Sequence, residues 1–110
     1  VVSLVGKETA INLMKTSFDD VALALRAMGD PSMATKDKAA PIHKSVGSTA
    51  LLGLEELSEA LSEAEMLALA DRDPNETELP HLIEALLKEA RFEFGPLIDQ
   101  HHAGSAAPHT

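Results

Sequence analysis

The chain has 110 residues, 45% of them apolar, which is the size and composition of one folded domain with a single core. It contains no cysteine, which excludes a disulfide framework, a thiolate zinc site and a thiol nucleophile together. Eighteen acidic against nine basic side chains give a net charge of −9, and the only aromatics are three Phe, so phosphate backbones are repelled and base-stacking platforms are missing. No nucleic-acid partner is expected. No membrane insertion is expected either, because no apolar run reaches roughly 18 residues. Val1-Val2-Ser3-Leu4-Val5 lacks the basic start of a signal peptide, and a cytoplasmic location is the expectation.

Ile11, Met14, Phe18, Val21, Leu25 and Met28 recur at alternating spacings of 3 and 4, which predicts an amphipathic helix over 7–28. Asp19, Asp20 and Arg26 fall off that stripe and read as solvated. Gly29 is suited to follow the helix in the left-handed conformation. Asp30-Pro31 reads as a cap followed by proline at a first helical position. The stretch 32–40 is polar and reads as a helical turn or a loop. Pro41 either opens the next helix or kinks one, since it lacks an N–H. From there Ile42, Val46, Thr49, Ala50 and Gly53 share one face, with Gly53 ending the helix.

A third helix is predicted over 54–70, with Leu57, Leu61, Ala64 and Leu67 inward and Glu55, Glu59 and Glu63 outward. Like charges four apart cost a few tenths of a kcal/mol each, so that acidic stripe reads as a solvated face. Asp71-Arg72-Asp73-Pro74-Asn75 is a turn cluster. A fourth helix is predicted over 75–94, burying Leu79, Leu82, Ile83, Leu86, Leu87 and Ala90, with Pro80 near its first turn and a Glu84–Lys88 pair outside. Gly95-Pro96 stops or kinks it. The expected organisation is one domain over 1–99 and a flexible C-terminal tail over 100–110. Four amphipathic helices with short connections predict an all-α fold, an antiparallel up-down four-helix bundle.

Familiar site patterns fail on their own chemistry. Asp71-x-Asp73-x-Asn75 begins like a calcium loop, but Glu76 and Leu82 stand where that loop requires glycine and glutamate. Glu78-x-x-His81 has the spacing of a helical ligand pair, yet di-iron bundles need two such pairs, and Pro80 lies inside this one. No phosphate-cradling glycine loop and no Ser/His/Asp constellation is present. No metal and no cofactor are expected.

His43 is the residue left standing. At 100° per residue it lies near 100° from Ile42, on the flank of the apolar face, with Gly47 one turn further on the same side and Leu51 a turn beyond. A helix-interior glycine costs about 1 kcal/mol relative to alanine, and its missing Cβ leaves a clearing. The plain explanation is a surface histidine beside a glycine used for close helix packing.

The run His43-Lys44-Ser45-Val46-Gly47-Ser48-Thr49-Ala50-Leu51-Leu52-Gly53-Leu54-Glu55-Glu56-Leu57 resembles the signature of histidine-containing phosphotransfer domains: histidine, glycine four later, small residues, a second glycine, then a Leu-rich acidic helix. The resemblance covers roughly 18–97. It implies that His43 is the phosphoacceptor and that Lys44, Gly47, Ser48 and Leu51 contact the partner. The implied partners are response-regulator receiver domains and a hybrid sensor kinase, in a two-component phosphorelay. Such a domain is a phosphocarrier without autonomous catalytic activity. Two departures stand out: Val46 occupies the place of the family's usual lysine, and Pro41 lies two residues before the histidine. A helix opening at Pro41 would put His43 in its first turn, where free N–H groups favour a phosphoryl group. The alternative is a degenerate helical adaptor or dimerisation module without phosphotransfer, pairing through the stripe from Ile11 to Met28 as a coiled-coil-like seam.

Overall fold

The computed structural model describes the backbone of residues 4–106 and the side chains of residues 8–95. Among the described residues the chain is all-helical and has no strand. Helix α1 runs Leu4–Met28, α2 Ala39–Leu51, α3 Glu55–Leu69 and α4 Leu79–Ala106, with short 3-10 turns at Thr35–Lys38 and Pro74–Glu76. Each helix packs on its neighbours in the chain, and α4 closes back onto α1.

The periodic stripe of α1 becomes the core as expected. Ile11, Met14, Phe18, Val21 and Met28 are buried and Leu25 is half-buried, so this stripe is consumed inside the chain and offers no coiled-coil seam to a partner. Leu57, Leu61 and Ala64 of α3 and Leu79, Ile83, Leu87 and Ala90 of α4 meet it. Leu82 does not; it stands 48% exposed. Helix α2 buries Ile42 together with two hydroxyls, Ser45 and Thr49, whereas Ala50 points outward. Those hydroxyls donate back to their own helix, Ser45 Oγ to the Ile42 carbonyl at 2.6 Å and Thr49 Oγ1 to the Ser45 carbonyl at 2.8 Å. Burial therefore leaves neither unsatisfied.

The connections depart most from expectation. Gly29 follows α1 without a positive φ; its N–H bonds the Leu25 carbonyl at 3.1 Å. Asp30-Pro31 opens no helix. Asp30 Oδ1 instead accepts from the backbone N–H and the hydroxyl of Ser32, at 2.9 and 2.6 Å, closing a turn. Helix α2 begins at Ala39, directly after the 3-10 turn, and runs through Pro41 as its third residue. Proline is tolerated there because the first N–H groups of a helix have no partner within it. Helix α4 begins at Leu79 rather than 75. It continues through Gly95-Pro96 to Ala106, so no helix end marks a boundary at 99–100. Residues 107–110 of the expected tail lie outside the described residues.

The ends of α2 and α3 share one capping geometry. The N–H of Leu54 bonds the Thr49 carbonyl and that of Gly53 the Ala50 carbonyl, at 3.1 and 3.0 Å. The N–H of Arg72 bonds the Leu67 carbonyl and that of Asp71 the Ala68 carbonyl, at 2.8 and 3.0 Å. These are paired Schellman closures, which require a left-handed residue at the pivot. Gly53 supplies it with φ 75° and Asp71 with φ 61°.

A buried lysine fastens the connections together. Lys38 Nζ donates to the Met28 carbonyl at 2.7 Å and pairs with Asp73 Oδ1 at 3.2 Å. The same Asp73 oxygen accepts the N–H of Asn75 at 3.0 Å. Asp71-x-Asp73-x-Asn75 is thus folded as a capped turn held by a lysine. A cation at the C-terminal carbonyl of α1 also meets the negative end of that helix.

Candidate functional site

His43 is the fifth residue of α2, beyond the first turn, because the helix already starts at Ala39. Support from free N–H groups at a helix opening on Pro41 is therefore removed. What α2 does provide is exposure. The His43 side chain is 75% accessible, and its Nδ1 lies 2.7 Å from Oε2 of Glu65 on α3. Glu65 is itself only 18% exposed, so its carboxylate is far less accessible than the ring it meets. A carboxylate accepts, so Nδ1 carries the hydrogen and donates it. In the neutral ring this leaves the lone pair on Nε2.

The structure brings the other expected residues onto the surface around His43, with different roles. Lys44 Nζ is 3.6 Å from Asp20 Oδ1 on α1. Asp20, expected to be solvated, is buried, its carboxylate turned into the α1–α2 boundary where Lys44 covers it. Lys44 thereby serves Asp20 and does not take the place of a lysine three residues after the histidine. Val46, at that place, is half-buried against the core. Ser48 is half-buried and its hydroxyl donates to the Ser45 carbonyl at 3.3 Å. Leu51 is 76% exposed.

Gly47 is exposed, and a Cβ built on it meets no heavy atom within 4 Å. Close packing within this chain therefore does not explain the glycine. The clearing one turn from His43 opens to solvent. Leu51, one turn further along α2, is exposed on the same flank.

Sequence reasoning missed Glu65. Its signal was position: 65 is 200° around α3 from 63, so this glutamate stands apart from the row formed by Glu55, Glu59 and Glu63 and flanks the core residues Leu61 and Ala64. Glu78 and His81 are both exposed and make no common site. Comparison of the chain with family models, curated proteins and solved structures finds no match. No described helix is long and apolar enough to cross a membrane.

Proposed function

We propose that this protein is a histidine phosphotransfer carrier of a two-component phosphorelay, an antiparallel up-down bundle acting in the cytoplasm with His43 as its phosphoacceptor. The observation that carries the reading is the pairing of an exposed imidazole with a partly buried carboxylate, His43 Nδ1 to Glu65 Oε2 at 2.7 Å. That hydrogen bond holds the tautomer in which Nε2 is the nucleophile.

In the transfer, the Nε2 lone pair attacks the phosphorus of a receiver's aspartyl phosphate. The N–P bond forms as the acyl O–P bond breaks, and the receiver's carboxylate leaves. The Nδ1 hydrogen stays on the Glu65 hydrogen bond throughout. The return step reverses these bonds on a second receiver. This chain contributes orientation and access, and Glu65 is a positioning residue. Lys44, Gly47, Ser48 and Leu51 form the rim on which the receiver rests, and the open space over Gly47 supports that assignment. A hybrid sensor kinase supplies the phosphoryl group through its own receiver.

Phosphoramidate tests the reading without a partner, because its P–N bond breaks with release of ammonia. Intact mass should show one acid-labile phosphoryl group on the protein and none on His43→Gln. Glu65→Ala should label more slowly while melting close to the parent protein. Failure to label, under conditions that label an established phosphohistidine carrier, would overturn the reading.

A further inference from the structure

A groove follows the boundary between α3 and α4, on the side of α3 turned away from Glu65 and His43. It consists of three depressions of about 240, 270 and 940 Å³. They join end to end, since Glu56 and Leu86 line the first two, and Glu63 and Leu82 line the second and third. Leucines run along the floor, Leu54, Leu57 and Leu86 toward one end and Leu82 and Leu67 toward the other, where the widest depression opens onto the polar α3–α4 connection. Ala60 and Ala90 also line it, and their small side chains leave open a boundary that leucine would fill.

The walls are acidic on both sides. Glu56, Glu59 and Glu63 rise from the α3 side, and Glu78, Glu89 and Glu93 from the α4 side. None of these six takes part in an ion pair among the described residues. Arg72 is the single basic residue in the lining. Much of the chain's charge of −9 is therefore gathered, unneutralised, along one leucine-floored channel.

We infer that this groove docks an amphipathic helix of a partner protein, with leucine-type anchors facing the floor and Lys or Arg on both flanks. Charge decides the occupant. A second copy of this chain would bring its own −9 against the same acidic walls, and an anionic surface would be repelled. A basic helix neutralises both walls and relieves the i,i+4 repulsion along α3. The channel extends along α3 from Leu54 to Leu67, about 20 Å at the helical rise, which accommodates roughly 13 residues of a partner helix. Anchors at i, i+3 or i+4, and i+7 on such a helix match leucine sites spaced along a groove. Phosphoryl chemistry plays no part, so the outcome here is separate from that of His43.

The test is an amide chemical-shift titration of the full chain with a 16-residue synthetic peptide of Leu, Lys and Arg, leucines in helical register. A second peptide of identical composition has its leucines scrambled out of register. The first should shift amides along α3 and α4 and weaken as salt rises. The scrambled peptide should bind at least tenfold more weakly. Glu59→Lys combined with Glu63→Lys, both on exposed positions, should also cost at least tenfold, and Leu82→Ser several-fold. Equal binding of the two peptides would reduce the effect to bulk charge and overturn the inference. So would shifts centred away from α3–α4, no binding at millimolar peptide, or self-association through the groove in the absence of peptide.

Discussion

Replacing Gly47 by alanine should make this protein more stable. Gly47 is the ninth residue of a 13-residue helix, so its backbone is held in helical geometry that alanine adopts freely. A Cβ there meets no heavy atom within 4 Å, so no packing penalty opposes the change. The remaining effect is backbone entropy in the unfolded chain, about 0.5–1 kcal/mol in favour of alanine in a helix interior. For a domain near 100 residues, that corresponds to a rise in Tm of about 2–8 °C. Thermal unfolding followed by far-ultraviolet circular dichroism reads it directly. A Tm equal to or below that of the parent protein would refute the reasoning, because the glycine would then be serving the fold. The proposed docking role adds a second readout: Gly47→Ala should label normally with phosphoramidate yet accept the phosphoryl group more slowly from a receiver domain.

Exchange at the two Schellman pivots should have opposite signs. Gly53→Ala forces a Cβ into φ 75° and should cost about 1 kcal/mol, while Asp71→Gly at φ 61° should gain up to about 1 kcal/mol, both measurable by urea unfolding. Lys38→Met should destabilise by about 1–3 kcal/mol, since it takes the side-chain donor from the Met28 carbonyl and the cation from Asp73; an unchanged urea midpoint would contradict the geometry. The acid limb of stability should depend on Asp73 and Asp30. Both carboxyls are held below the ordinary value of 3.8, Asp73 first by the N–H of Asn75 with Lys38 adding to it, Asp30 first by the Ser32 hydroxyl. The folded state then binds fewer protons than the unfolded chain, so their contribution is complete above 3.8 and lost as pH falls through the lowered values. Asp73→Asn should flatten that limb in melts taken from pH 6 down to pH 2.

Legibility varied with how local the determining physics was. The core face of α1 could be read residue by residue, because Ile11 to Met28 obey one period and the interior accepts them all. Helix ends were less legible. The helical start at Ala39 depends on a preceding 3-10 turn anchored by Lys38, and a lysine in a polar stretch carries no sign that it will be buried. Likewise Gly95-Pro96 has the composition of a stop, yet α4 continues past it. At the candidate site, exposure of His43 and the clearing at Gly47 followed from the position of both on one flank of α2. The partner carboxylate did not, because residues 22 apart in the chain meet only once α2 and α3 are packed. Asp20 failed for the same reason: its burial depends on a lysine from another helix.

The Lys38 junction has a consequence for how the protein opens. One ammonium group joins the last turn of α1, the start of α2 and the turn between α3 and α4. The two halves of the chain, α1–α2 and α3–α4, therefore cannot separate at that end without breaking the Lys38–Asp73 pair, and α1 cannot leave α2 there without breaking the Met28 bond. Amide hydrogens at the close of α1 and in the Asp73–Asn75 turn, positions that normally exchange early, should be released only in large cooperative openings. Exchange in Lys38→Met should uncouple the halves, and each connection would then open on its own timescale.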